Sequence, residues 1–180
     1  MTTRGYFGIG AESISKPMNF GNLSRTAYGF GAAFVFTVAA TKRVLDPQSD
    51  TGASYDHMPW YGFDAVADMR LPDGCRLVGV ELADDAIELP SFRHPARAAY
   101  VLGPEGGSLS DEMVAACDFV VKIPTRFCLN VATAGAVVMY DRTVSLGRFA
   151  ERPVKAGGPD APLPEHVHGK PLYAGARRVR

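Results

Sequence analysis

Residues 98–123 read Ala98-Ala-Tyr-Val-Leu-Gly-Pro-Glu-Gly-Gly-Ser-Leu-Ser-Asp-Glu-Met-Val-Ala-Ala-Cys-Asp-Phe-Val-Val-Lys-Ile123. A short apolar run, Ala98 to Leu102, meets a Gly/Pro turn, and Phe119 to Ile123 is a second apolar run. Between them Ser108 to Asp118 opens on Ser and Asp, with acidic residues close behind. Such side chains cap the free N–H groups of a helix start and suit the positive end of its dipole, so the spacing predicts strand, helix, strand. Runs that are apolar throughout belong to strands covered on both faces. The same signature recurs outward along the chain. Tyr6 to Ala11, Ala32 to Ala40 and Arg76 to Leu82 read as strands, while Asn22 to Phe30, closed by Gly31, and Val131 to Leu146 read as helices. The expectation is an α/β fold, a mostly parallel sheet with helices on both faces.

The 180 residues suffice for one domain with a full core, and 47% apolar against 21% charged residues is an ordinary globular composition. Nineteen Lys and Arg balance nineteen Asp and Glu. A nucleic acid held by net charge alone is therefore not expected, and any such partner must meet a local patch in a shaped site. The longest apolar run, Ala32 to Ala40, is interrupted by Thr37 and is strand length, so no membrane span is expected. No signal-peptide pattern is read at the N-terminus. Cys75, Cys117 and Cys128 are widely spaced without a C-x-x-C, which argues against a disulfide framework or a zinc site and for the cytoplasm.

Two stretches depart from the rhythm. Asp46 to Tyr61 mixes turn formers with aromatics and reads as a long surface connection, in which Tyr55, His57, Trp60 and Tyr61 either wall a flipped base or seal the domain's own core or a dimer. From Arg148 onward the chain holds five Pro, four Gly and the basic end Arg177-Arg-Val-Arg180. The expected division is a folded domain over residues 1–147 and a Pro/Gly-rich basic tail over 148–180. His166 and His168 in that tail have no thiol neighbour, so no functional metal is expected.

Open parallel sheets bind ligands at the carboxyl ends of their strands. Three segments fall there: Asn19-Phe-Gly-Asn-Leu-Ser-Arg25, Gly103-Pro-Glu-Gly-Gly107, and Ile123-Pro-Thr-Arg-Phe-Cys-Leu-Asn130 with the small residues that follow it. In the first, Asn can cap a helix and Arg25 offers a fork of donors suited to phosphate. The second lets backbone approach a ligand, yet lacks the endings of a phosphate loop or a dinucleotide fingerprint and reads equally as a plain turn. The third places an Asn at a helix entrance, beside Ala132, Ala134, Gly135 and Ala136, which permit close approach of another backbone or a cofactor.

Taken in order, Asn19 with Arg25 six residues on, Leu102-Gly-Pro-Glu-Gly106, and Ile123-Pro124 followed by Cys128-Leu-Asn-Val-Ala132 resemble three motifs of one family. It is the SPOUT superfamily of RNA methyltransferases, in its TrmH/SpoU branch of ribose 2′-O-methyltransferases. The likeness spans about residues 6 to 147. It implies a C-terminal deep trefoil knot and a homodimer whose active site is completed across the interface. It also implies S-adenosylmethionine as cofactor without a metal, and RNA as substrate, tRNA before rRNA. By the same likeness Leu102, Gly103, Ile123, Cys128 and Leu129 hold the cofactor, and Asn19, Arg25, Glu105 and Asn130 occupy the catalytic positions.

Cys128 stands where the branch usually has Ser, and a thiol is the poorer hydrogen-bond donor. With no RNA-binding segment read ahead of the first strand, recognition is expected from the catalytic dimer, with Lys16, Lys42, Arg43 and the Arg177 to Arg180 end following the RNA backbone. Arg25 is expected beside the methyl donor as phosphate clamp and stabiliser of alkoxide charge, because a guanidinium is a poor base. The alternative is a knotted protein that binds S-adenosylmethionine or RNA without catalysis.

Overall fold

The computed structural model describes residues 5–44, 57–147 and 149–158. Its elements are, in chain order, β1 (Tyr6–Glu12), α1 (Pro17–Gly29), β2 (Phe34–Val38), β3 (Trp60–Phe63), β4 (Arg76–Val80), β5 (Ile87–Glu88), β6 (Arg97–Leu102), α2 (Asp111–Ala116), β7 (Phe119–Lys122) and α3 (Val131–Leu146). Among the described residues the strands form one sheet in the order β3-β2-β1-β6-β4-β7-β5. Every pairing is parallel.

The side-chain period of two divides each central strand between two cores. On one face Ile9, Val35, Tyr100 and Leu102 pack with Phe20 and Leu23 of α1 and with Val138 and Met139 of α3. On the other, Phe34, Phe36, Ala99 and Val101 meet Leu109 and Met113 at α2. Helices cover both faces, which is why the strands read as unbroken apolar runs. Gly135 lets α1 and α3 close on each other, since a Cβ there would stand 2.4 Å from Leu23 Cδ1.

Three local expectations change. Helix α1 starts at Pro17, five residues before Asn22, because proline's fixed φ suits the first helical position. Asn22 is consequently an exposed position inside the helix and not its cap. Trp60 and Tyr61 open strand β3 instead of ending a loop, and the Trp60 indole N–H donates to Thr37 Oγ1 at 3.3 Å while its ring packs on Phe20. His57 stacks on Tyr28, at the amino end of the sheet. Of these aromatics Trp60 packs against the core, while His57 and Tyr61 are exposed, all away from the strands' carboxyl ends. Tyr55, His166, His168 and the Arg177 to Arg180 end lie outside the described residues, as does most of the 148–180 tail; residues 149–158 hold neither helix nor strand.

Candidate functional site

Strands β1, β2 and β3 extend the sheet one way, and β6 lies between β1 and β4, so the chain direction switches at β1. A crevice is expected outside the carboxyl ends at such a switch. A cavity of about 440 Å³ opens there, between the turns that follow β4, β6 and β7. Leu102, Gly103, Ile123, Cys128 and Leu129 all line it, as do Asn19, Glu105 and Asn130. The volume is of the size that takes a nucleoside-sized ligand.

Three distant segments are tied together at its rim. Glu105 Oε2 accepts from the Ser15 N–H at 3.0 Å and the Ser15 hydroxyl at 2.9 Å. Its Oε1 accepts from the Lys16 N–H at 3.2 Å and from Asn19 Nδ2 at 2.8 Å. Asn19 Oδ1 in turn accepts from Asn130 Nδ2 at 3.0 Å. Asn130 Oδ1 caps α3, accepting from the Ala132 and Thr133 N–H groups. Partial burial by itself raises the Glu105 pKa, but the Asn19 and Ser15 donors outweigh it and the net shift is downward. The carboxylate is thus ionised at neutral pH and already served by four donors.

Two further carboxylates hold the glycine-rich turn. Glu81 Oε2 accepts from the Leu109 N–H at 2.7 Å. Glu12, buried at the end of β1, accepts from the Ser110 N–H at 2.8 Å and from its hydroxyl. Ser110 caps α2 as the sequence suggests. The turn also folds tightly onto Gly103, where a Cβ would stand 3.0 Å from the Leu109 nitrogen. Neither Glu12 nor Glu81 is singled out by motif. The signal that finds them is an acidic residue directly ending an apolar parallel strand.

Arg25 is placed apart. It lies six residues beyond Asn19 on α1, about 9 Å along the axis and on another face of the helix. Its side chain is exposed, does not line the cavity, and makes no hydrogen bond or ion pair with another described residue. Cys128 is exposed at the cavity, whereas Cys75 and Cys117 are half-buried, and burial pushes the Cys117 thiol up to about 11. Among the described residues no cluster of metal-ligating side chains occurs, and no helix is long and apolar enough to cross a membrane.

Comparison with known proteins agrees with this geometry. The model of the SpoU rRNA Methylase family matches residues 7–140. The chain is 30% identical over 141 residues to a Staphylococcus haemolyticus protein placed by name in the TrmH family, covering 72% of this chain and 55% of that protein. It is 29% identical over 144 residues to the Mus musculus tRNA (guanosine(18)-2'-O)-methyltransferase TARBP1, covering 74% of this chain and 9% of that protein. The chain therefore spans about half, or much less, of the length of these relatives. In fold it is similar to the SpoU methyltransferase AviRb from Streptomyces viridochromogenes, solved in complex with the cofactor AdoMet. The TM-score is 0.69 at 24% identity, over 78% of this chain and 58% of that one. A match of the family model from the first strand into the last helix, on a chain whose three motifs converge at one cavity, makes this protein a member of the SpoU rRNA Methylase family.

Proposed function

We propose that the chain is an S-adenosylmethionine-dependent RNA methyltransferase that modifies a ribose 2′-OH, with tRNA as the favoured substrate over rRNA. The observation that carries the reading is the linkage Glu105–Asn19–Asn130 at the rim of a cavity lined by all five residues expected to hold the cofactor. The cavity suits that group. Leu102, Ile123 and Leu129 supply apolar walls for a purine, and the turns after β6 and β7 bring backbone N–H and C=O groups to its edge. When bound, the cofactor supplies a methyl group already activated on a sulfonium.

The remaining work is to align a hydroxyl and support the charge it develops. Glu105, Asn19 and Asn130 spend their polar atoms on one another and on backbone, so they fix the three segments in place. Such preorganisation is how a site keeps its reorganisation cost low during reaction. Arg25 is the group suited to clamp an RNA phosphate and stabilise a developing alkoxide, but it faces outward from its own cavity. Its exposure, together with exposed Tyr28 on α1 and Tyr140 and Val144 on α3, supports a homodimer in which each copy delivers Arg25 to the other's site. The insertion of β6 between β1 and β4, and of β7 between β4 and β5, supports a threaded, knotted C-terminal part. Lys16, Lys42 and Arg43 lie close together, since the Thr41 N–H donates to Ile14 O and its hydroxyl to Ser15 O, and form the patch that follows the RNA backbone.

Incubation with a labelled methyl donor and either total tRNA or rRNA, followed by mapping of the modified nucleotide, tests the reading. A 2′-O-methylated ribose in tRNA is the expected product. Cofactor and RNA binding without any methyl transfer leaves the non-catalytic alternative in its place.

A further inference from the structure

The turn between β7 and α3 carries a side chain that neither the fold nor the rim network uses. Phe127 is 75% exposed, belongs to neither core cluster, and makes no ring contact with another described aromatic. Its neighbours do face the cavity, since Thr125 and Cys128 both line it. The turn is braced from within. The Thr125 N–H donates to Ile123 O at 2.7 Å, and the Thr125 hydroxyl lies 2.9 Å from the carbonyl of Phe127. Pro124 restricts the backbone at its start. Phe127 is thus held out into water at the mouth of the site by a turn with little freedom to fold it back.

The charges around it indicate what it meets. Arg126 and Lys16 are exposed and make no ion pair with a described residue. The carboxylates that line the cavity, Glu81 and Glu105, already accept hydrogen bonds from the protein. An exposed aromatic face next in sequence to an unpaired Arg126, at a cavity that exposed Lys16 also lines and whose carboxylates are occupied, complements a flat apolar ring linked to anions. That is the chemistry of a nucleobase and its phosphates.

We propose that Phe127 is a base-stacking platform that receives an unpaired nucleobase of the RNA, with Arg126 and Lys16 taking the flanking phosphates. This rests on the RNA methyltransferase reading and narrows it, because a base can lie on Phe127 only when it is out of a helix. The substrate is then a loop or single-stranded segment.

The test compares wild type with Phe127→Leu and Phe127→Tyr; the position changed is exposed, so the fold survives. Binding of total tRNA is followed by fluorescence anisotropy, binding of S-adenosylmethionine by calorimetry, and mass by sizing with light scattering. Phe127→Leu is expected to weaken RNA binding roughly 5- to 100-fold, the usual scale for one stacked base. It should raise KM for RNA more than it lowers kcat, leave S-adenosylmethionine affinity and oligomeric mass unchanged, and be restored by Phe127→Tyr. Unaltered RNA affinity in Phe127→Leu overturns the platform, as does an equal loss of cofactor affinity, a changed mass, or a mapped target nucleotide inside a stem. A wild-type protein that binds S-adenosylmethionine but neither tRNA nor rRNA overturns the proposed function, and the platform with it.

Discussion

Helix α3 has a polar network at each end, and the two differ in what surrounds them. At its start, Asn130 joins Asn19 and Glu105 beside an open cavity, among exposed or half-buried groups. At its other end Arg142 is buried and donates to Pro95 O at 2.6 Å, Ala96 O at 2.8 Å, Tyr6 O at 3.4 Å and the Tyr100 hydroxyl at 3.1 Å. Its guanidinium also lies over the Phe7 ring. His94 continues this second network, with Nδ1 2.6 Å from the Tyr100 hydroxyl and Nε2 2.8 Å from Asp141 Oδ2. The first network sits at the rim of a cavity, whereas the second is buried, with His94 also bordering a surface cleft formed with Pro90, Phe92 and Ser145. The same helix is therefore anchored by saturated buried polar groups at the amino end of the sheet, so that its start can remain open to chemistry at the carboxyl end.

The contrast is sharpest in the two arginines. Arg25→Ala is expected to cost roughly 10²- to 10⁴-fold in methyl transfer, the scale of a charge-stabilising group, with the unfolding midpoint and cofactor affinity of wild type. Arg142→Leu should do the reverse. It takes the donor from four acceptors, one buried and three half-buried, and is expected to cost about 3–5 kcal/mol in urea unfolding, while the protein that remains folded still turns over. Equal losses of stability in the two variants would erase the distinction between the ends.

Asn19→Ala has a smaller expected effect, confined to the open end. Removing the amide takes a charged hydrogen bond from Glu105 and a neutral one from Asn130, and S-adenosylmethionine affinity by calorimetry should fall by roughly tenfold. The smallest expected effect is the pH dependence of the closed end. Burial pushes the His94 pKa below its ordinary value, against the pull of Asp141, and the Arg142 charge adds to the depression. The groups facing it are Asp141 and Arg142 of α3 and Tyr100 of β6. The neutral ring fits the geometry, with Nε2–H donating to Asp141 and Nδ1 accepting from Tyr100. Since the unfolded chain takes up a proton near about pH 6.5 and the native ring does so only lower, stability is full above that value and declines as pH falls below it. Thermal unfolding between about pH 7.5 and 5.5 should show that decline, and His94→Gln should flatten it.

Much of the fold was legible because burial on both faces leaves an unbroken apolar run, as in Phe34–Val38 and Arg97–Leu102. Strand β3 was not, because its four residues are exposed or half-buried and carry no such run. The convergence of segments was legible as motifs: Asn130 caps a helix as its position suggests, and the five residues expected to hold the cofactor line one cavity. Glu12 and Glu81 escaped notice, since a lone carboxylate in sequence gives no sign that it will close a turn some thirty to a hundred residues away.

The order of apolar runs, turns and caps along the chain was enough to set the α/β class and to mark the three segments that contribute to the cavity. That information is local, because alternation and capping depend on neighbours a few residues apart. Only the tertiary structure decided that Glu105 spends its charge on Ser15, Lys16 and Asn19, that Arg25 faces away from its own cavity, and that β6 enters between β1 and β4. Those outcomes join residues about ninety positions apart, or depend on which helix face the packing of α1 on α3 leaves outside, and neither is written in any local pattern.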